Sequence, residues 1–184
     1  MRKVVKNILT NKERKDLIKY SKPLLVDGEE MNRQVDIPGG QHFSKDVTYF
    51  PPSKQTWSIS LDAHPQFKPI VKKIFTKAVQ DLKYNVYMAK FWVNWNNGKK
   101  NQQLWHHHDE TDYAVVYYMR TFPFLNNGTC FKDGFVKAPQ NSLIIFSAEQ
   151  LHSVPAYPIP FHRYTLAMNL NIWRGWDDEN NCLK

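Results

Sequence analysis

The length and composition of the chain exclude several classes of protein. Its 184 residues, of which 42% are hydrophobic and 14% aromatic, are typical of one folded domain with a substantial core. No apolar run approaches the ~20 residues that a membrane helix needs, and the basic N-terminus is not followed by a secretory-type apolar segment. Cys130 and Cys182 lie far apart, which favours two free thiols over a disulfide or a zinc site and predicts a cytoplasmic protein.

The net charge of +8 is concentrated at one end of the chain. Residues 1–22 hold eight Lys and Arg side chains against two acidic ones, so the rest of the chain carries only +2. A basic surface attracts anions over a long range. Because the rest of the chain is nearly neutral, we interpret the basic end mainly as a solvated helix face, with phosphate contact as the alternative.

The first half of the chain predicts a helical support. Thr10 stands three residues before Glu13, a capping-box spacing that opens a helix ending near Tyr20. Residues 66–84 repeat apolar side chains at three- and four-residue steps and predict a longer amphipathic helix. The intervening segment 27–58 has no sustained period, and we interpret it either as a lid over a site or as a pair of edge strands.

From residue 85 the apolar period changes to two, which is typical of strands. The last of them, 163–173, alternates a small-polar face, expected toward a cavity, with an apolar face, expected toward a core. Early helices followed by closely spaced strands predict an α+β fold, an antiparallel double-stranded barrel braced by N-terminal helices. We expect a single domain over 1–184, with support and possible lid at 1–84 and the barrel core at 85–173. The other predicted strands are 86–95, 104–109, 113–119 and 142–146.

The stretch Trp105–Glu110 contains two residues with the spacing of metal ligands. His107 and Asp109 are two apart, so on an extended strand both side chains leave the same face. Joined by His152, they would occupy one face of an octahedral metal and leave the other open, the two-His-one-carboxylate arrangement of non-haem Fe(II) sites. The sequence therefore predicts His107, Asp109 and His152 as metal ligands and catalytic centre.

The run of three histidines leaves the register of this stretch open. His106 and His108 share one strand face, while His107 and Asp109 share the other. We prefer the pair with the carboxylate, because an anionic ligand neutralises Fe(II) better and gives the usual geometry. His106 and His108 remain the alternative pair.

Arg163 and Thr165, also two apart on one strand, form a predicted anion clamp. They offer a fixed cation and a hydroxyl that would hold the far carboxylate of a dicarboxylic co-substrate. Taken alone, His152 is more often a buried core histidine and Arg163 a surface ion-pair partner, and a histidine run also binds zinc or nickel adventitiously. Their occurrence together, in this order, favours a functional site.

This set of residues resembles the motifs of the Fe(II)- and 2-oxoglutarate-dependent dioxygenases, in particular their prolyl-hydroxylase-like branch. The matching residues are His107-x-Asp109, His152 and Arg163-x-Thr165, and the apolar strand leading to His152 is similar as well. The resemblance implies a double-stranded β-helix of the jelly-roll or cupin-like kind, with Fe(II), 2-oxoglutarate and O2 as cofactors and co-substrates. It also implies that Arg163 and Thr165 bind 2-oxoglutarate. Further candidates for contacts to 2-oxoglutarate are Lys90, Trp92 and Asn94.

The same resemblance implies an enzyme that hydroxylates a C–H bond of a peptide side chain, for example proline, or of a small molecule, with release of succinate and CO2. One alternative is oxidative dealkylation of nucleic-acid bases, motivated by the basic N-terminus and the many aromatic residues, although a peptide or small-molecule partner is favoured. Another is a non-catalytic cupin-like module that only binds metal. Succinate formation separates this last alternative from the two enzymes.

Overall fold

Two antiparallel β-sheets, braced by two helices, form the part of the chain that the structure describes. The computed structural model describes residues 1–27, 53–96, 103–122, 124–125, 127–154 and 161–174. The helices are α1 (Asn11–Ser21) and α2 (Lys68–Val79), and short 3-10 turns cover Lys22–Leu24 and Pro65–Phe67. The strands are β1 (Arg2–Lys6), β2 (Val26–Asp27), β3 (Ser53–Gln55), β4 (Val86–Asn96), β5 (Gln103–His106), β6 (Tyr113–Arg120), β7 (Gly128–Phe131), β8 (Gly134–Lys137), β9 (Ser142–Ser147), β10 (His152–Val154) and β11 (Arg163–Ile172).

The strand order shows how the chain builds two facing sheets. The larger sheet has the order β1-β9-β6-β11-β4-β3-β2, and the smaller has the order β5-β10-β7-β8. All of these pairings are antiparallel. From β4 onward the chain crosses between the sheets after β4, β5, β6, β8, β9 and β10. The smaller sheet therefore lies opposite the larger one.

The two helices cover the outer face of the larger sheet. Thr10 caps α1 through the predicted capping box with Glu13. Leu17 of α1 and Ile74 of α2 are fully buried in one cluster with apolar side chains of the sheet. The predicted helical brace is thus confirmed, and its stability comes mainly from burial of this apolar stripe.

The alternation predicted for the last strand is confirmed in β11. Leu166, Met168 and Leu170 belong to the core beneath the helices. The odd-numbered residues point the other way, into the space between the sheets. A second apolar cluster with members from both sheets fills part of that space: Ala114, Tyr118, Phe131, Ala138, Ile144 and Phe146.

Three predicted elements differ from the structure in their bounds. The helix predicted over 66–84 is regular only in α2, although Leu82 still packs on the core, which explains why the periodicity extends further. The strand predicted over 104–109 ends at His106. At the two ends of segment 27–58, β2 and β3 pair with each other at the edge of the larger sheet, as the edge-strand interpretation expected. A lid would lie in residues 28–52, which are outside the described residues. No helix among the described residues is long and apolar enough to span a membrane.

Candidate metal and co-substrate site

Two neighbouring strands of the smaller sheet bring His106 and His152 together. β5 and β10 pair in a register that sets these residues directly opposite each other. Their ring centroids are 4.1 Å apart, and both residues are buried, with 7% and 4% of their surface exposed. Residues opposite each other in a pair point to the same side of a sheet, so both imidazoles enter the space between the sheets.

His108 joins this pair although it lies beyond the end of β5. Its backbone N–H donates a hydrogen bond to the carbonyl oxygen of Ala148 (3.0 Å), which fixes the chain just after the strand. Its ring centroid lies 5.3 Å from that of His106 and 5.2 Å from that of His152. Each of the three rings offers a nitrogen, and these nitrogens all lie within 4.8 Å of one another. Among the described residues this is the one group of three such side chains.

The surroundings keep the imidazoles of His108 and His152 neutral. Burial, together with the neighbouring His106 and His152, lowers the pKa of His108 to about 2. Burial likewise lowers the pKa of His152 to about 3, with His106 as the next cause. Neutral imidazole is the form that binds a metal ion, because protonation removes the nitrogen lone pair.

A hydrogen bond also orients the ring of His152. Its Nδ1 lies 2.9 Å from the carbonyl oxygen of Gln150, and because a carbonyl only accepts, Nδ1 carries the proton. The lone pair is therefore on Nε2, the other ring nitrogen. Metal-ligating histidines are usually fixed in this way through the nitrogen that does not touch the metal.

His107 and Asp109, the sequence-predicted partners of His152, are placed elsewhere. Their side chains pair with each other, with His107 Nε2 2.5 Å from Asp109 Oδ1, and both are exposed, at 44% and 76% of the side-chain surface. They do not belong to the group of three close ring nitrogens. The prediction assumed an extended strand through Asp109, whereas β5 ends at His106 and Asp109 begins a turn. The structure thus gathers the alternative pair, His106 and His108, around His152.

Arg163 is a buried cation whose guanidinium has no hydrogen bond to the described residues. Only 1% of its surface is exposed, and Nε, Nη1 and Nη2 are all buried without a hydrogen-bond partner in that part of the chain. The guanidinium carbon lies 5.2 Å from the centre of the Tyr118 ring. Thr165, two residues further on the same face of β11, is buried too. A buried, unpaired guanidinium is costly, so its presence points to an anionic partner.

One cavity between the sheets joins the histidines to this strand. His106, His108 and His152 line it together with Thr165, Trp92 and Asn94, so one of the predicted clamp residues faces the same space as the histidines. The remaining lining residues are Ala114, Val115, Val116, Thr129, Val154, Ala167, Met168 and Asn169.

Solved structures with this arrangement of sheets identify the fold. A viral collagen prolyl hydroxylase from Paramecium bursaria Chlorella virus-1, in a 2-oxoglutarate complex, shares 14% sequence identity over 92% of this chain and 94% of its own, with a TM-score of 0.59. A prolyl hydroxylase from Trichoplax adhaerens, in complex with a hypoxia-inducible-factor peptide, shares 14% identity over 93% and 83%, with a TM-score of 0.61. HygX from Streptomyces hygroscopicus, with nickel, 2-oxoglutarate and hygromycin B bound, shares 11% identity over 100% and 89%, with a TM-score of 0.63. No family model matches the sequence, and no curated protein matches it either.

The chain has the fold of the Fe(II)- and 2-oxoglutarate-dependent oxygenases. The predicted double-stranded β-helix is therefore confirmed, and so is the family resemblance at the level of the fold. The larger and smaller sheets are the two walls of this double-stranded β-helix. The histidines project from the smaller wall and Thr165 from the larger one.

Two polar residues of this barrel were not among the predicted metal ligands or clamp residues. Trp92 was only a candidate for contact with 2-oxoglutarate, and Asn169 appeared only as a member of the cavity-facing side of the last strand. In the structure Trp92 Nε1 and Asn169 Oδ1 are buried without a hydrogen-bond partner among the described residues. The alternation of β11 was the one sequence signal that placed Asn169 in the cavity.

The low pKa values of the buried histidines predict an acid-sensitive apoprotein. An unfolded histidine has its pKa near 6.5, whereas those of folded His108 and His152 are about 2 and about 3. The unfolded chain therefore takes up protons first as the pH falls, and folding stability should decrease steadily as the pH falls from about 6.5 toward 3. Denaturant unfolding in a chelator at several pH values measures this slope. The double variant His108→Gln/His152→Gln should flatten it, and an equal slope in that variant would contradict the prediction.

Proposed function

We propose that the chain is an Fe(II)- and 2-oxoglutarate-dependent oxygenase whose metal ligands are His106, His108 and His152. The observation that carries this proposal is the gathering of three imidazoles, two of which are held neutral, in the barrel that also buries Arg163 without a hydrogen-bond partner among the described residues. The fold of the oxygenases supports it, since metal and co-substrate are bound in HygX, one of the similar structures. When bound, Fe(II) and 2-oxoglutarate supply the oxidation of a C–H bond by O2, with release of succinate and CO2.

The three imidazoles fit an iron site by their chemistry. Imidazole nitrogen is a suitable ligand for iron, nickel, copper and zinc, so the residues present suit the metal without selecting it alone. His106 and His108 replace the carboxylate-containing pair that the sequence favoured. Because all three ligands are uncharged, the whole charge of a divalent ion would remain at the site. A dianionic co-substrate cancels that charge inside the barrel, where an uncompensated ion is costly.

Arg163 and Thr165 are the residues that we assign to the co-substrate. A guanidinium forms two parallel hydrogen bonds to a carboxylate, and Arg163 has every one of its nitrogens available among the described residues. Thr165 adds a neutral hydroxyl donor at the cavity wall. The pair would orient 2-oxoglutarate with one carboxylate at Arg163 and its other end toward the histidines.

We favour a peptide or a small molecule as the substrate to be oxidised. The similar structures include one prolyl hydroxylase with a bound peptide and one protein with bound hygromycin B. Phosphate contact by the basic N-terminus is less supported, because several of its cations already have acidic neighbours. These pairs are Arg2–Asp133 (2.6 Å), Lys12–Asp16 (2.9 Å) and Lys3–Asp81.

Turnover of 2-oxoglutarate tests the proposed function. The purified protein, supplied with Fe(II), 2-oxoglutarate and O2, should release succinate slowly even without a second substrate. A chelator should reduce succinate to the level of a protein-free control, and excess Fe(II) should restore it, because the bound metal is needed to activate O2. Exclusion of O2, the oxidant, should reduce succinate to the same level. Metal binding without any succinate would contradict the enzyme and leave the metal-binding module as the function.

Thr165→Val tests the smaller part of the proposed clamp. The substitution keeps the volume and branching of the side chain and removes one neutral hydrogen bond to 2-oxoglutarate. We expect binding to weaken by roughly 0.5–1.5 kcal/mol, a factor of about 2 to 10. Titration of 2-oxoglutarate into the Mn(II)-loaded protein measures this change. An unchanged affinity would remove Thr165 from the clamp.

A further inference from the structure

Two orphaned polar groups in the cavity are not used by the metal or by the co-substrate clamp. Trp92 Nε1 is a buried donor, and Asn169 Oδ1 is a buried acceptor in a residue that is only 3% exposed. Neither has a hydrogen-bond partner among the described residues, although both residues line the cavity that holds the histidines. Each unsatisfied group of this kind is destabilising, so two in one cavity require an explanation.

The pairing of β4 with β11 places these groups side by side. Trp92 stands opposite Ala167, and Asn169, two residues further along β11, is its diagonal neighbour on the same inner face. The ring of Trp92 lies 6.1 Å from that of His108, so the pair is close to the proposed metal ligands. A ligand placed between Trp92 and Asn169 would therefore lie beside the reacting centre.

The distance along the strand separates this pair from the clamp. Asn169 is six residues from Arg163, which corresponds to roughly 20 Å in an extended strand. A 2-oxoglutarate molecule held at Arg163 and Thr165 is too short to reach Asn169. Asn169 Oδ1 is thus available to a different molecule, the substrate that is to be oxidised. Among the described residues, Trp92 Nε1 is the buried donor without a partner that lies nearest to it along the pairing of β4 with β11.

We propose that Trp92 and Asn169 are specificity-determining residues that bind a main-chain amide of a peptide substrate. This inference rests on the proposed function and names its substrate class. A trans amide presents its acceptor and its donor in opposite directions. An amide that lies between the two residues therefore accepts from Trp92 Nε1 through its C=O and donates to Asn169 Oδ1 through its N–H. The described cavity lining contains no Asp or Glu, and Lys90, which stands opposite Asn169 on β4, is exposed, so no acidic side chain of the lining competes for the amide N–H. The indole ring adds an apolar surface for the adjoining side chain.

Two substitutions remove the hydrogen bonds while keeping the shape of the cavity. Trp92→Phe deletes the donor and keeps an aromatic ring, and Asn169→Leu deletes the acceptor at similar volume. Asn171→Leu is the matched control, because it removes an amide from the same face of β11 at a position that does not line the cavity. All are made in the full chain, loaded with Mn(II) and 2-oxoglutarate so that binding is measured without turnover.

The measurement compares two affinities in each variant. The first is for 2-oxoglutarate, which should stay within about twofold in all three variants. The second is for a pooled library of N-acetylated, C-amidated hexapeptides, read by mass spectrometry of the retained peptides. We expect the strongest peptides of the wild type to bind at least tenfold more weakly to Trp92→Phe and to Asn169→Leu, and equally well to Asn171→Leu. Backbone N-methylation at the recognised position should have the same effect in the wild type.

The possible contrary results are distinct. Peptides that bind the two variants as well as the wild type, or a wild type that retains no peptide, would overturn the inference while leaving 2-oxoglutarate binding intact. Loss of 2-oxoglutarate affinity in either variant would assign that residue to the co-substrate instead. If Asn169→Leu does not fold, Trp92→Phe decides alone. Failure of the wild type to bind 2-oxoglutarate would contradict the proposed function itself.

Discussion

His108→Ala should abolish metal retention and 2-oxoglutarate turnover together, whereas His107→Ala should preserve both. The two residues are neighbours in sequence, but only His108 contributes a ring nitrogen to the group with His106 and His152. Removal of one of three protein ligands should weaken metal binding by more than ~100-fold, the upper end of what loss of an outer partner costs. His106→Ala and His152→Ala should behave like His108→Ala. Metal content after dialysis and succinate formation are the two measurements.

Two further variants sharpen this test. Asp109→Asn removes the carboxylate that the sequence favoured, and it should leave metal and turnover unchanged because Asp109 is exposed and paired with His107. His108→Asp places a carboxylate two residues after His106, the spacing of the family's usual pair, and should retain metal where His108→Ala does not. If His107→Ala or Asp109→Asn loses the metal while His106→Ala keeps it, the ligand set is His107, Asp109 and His152.

Arg163→Met should have opposite effects on co-substrate binding and on folding. The variant loses the guanidinium that we assign to a carboxylate of 2-oxoglutarate. Its affinity for 2-oxoglutarate should therefore fall by about 2–4 kcal/mol, roughly 30- to 1000-fold. The same change removes a buried charge that has no hydrogen-bond partner among the described residues, so the apoprotein should become more stable, by about 1–4 kcal/mol. Titration of 2-oxoglutarate into the Mn(II)-loaded protein and denaturant unfolding of the apoprotein measure the two effects.

Arg163→Lys is the control for charge. It keeps a cation but not the planar fork, so its affinity for 2-oxoglutarate should lie between those of the wild type and of Arg163→Met. Metal retention should be unaffected in both variants, because Arg163 is not among the proposed ligands. An unchanged affinity in Arg163→Met would exclude Arg163 from the co-substrate site, and a destabilised apoprotein would indicate a structural partner for its guanidinium.

The parts of the fold that follow from local rules could be predicted from the sequence. The capping box at Thr10 set the start of α1, since it depends only on residues three apart. The faces of β11 followed from strict alternation, which also placed Thr165 and Asn169 in one cavity. His152 and Arg163 could be predicted as site residues because each is a polar or charged residue next to a strand of mainly apolar residues.

The choice between the two histidine registers depended on information that is not local. Charge favoured Asp109 as a ligand, and both registers satisfy the alternation of an extended strand. The outcome depends on where β5 ends and on its pairing with β10, which sets His106 opposite His152. The backbone hydrogen bond from the N–H of His108 to the carbonyl oxygen of Ala148, forty residues away in sequence, then holds the chain so that the His108 imidazole points inward. Such pairings follow from the tertiary fold, and no pattern within the histidine run encodes them.

A crystal structure of the Mn(II)–2-oxoglutarate complex, grown without O2, tests the central claim most directly. We predict one metal ion held by ring nitrogens of His106, His108 and His152, with Nε2 as the ligand atom of His152. One carboxylate of 2-oxoglutarate should receive two hydrogen bonds from Arg163. A metal ion coordinated by Asp109 and His107, or a co-substrate carboxylate that does not contact Arg163, would contradict this account.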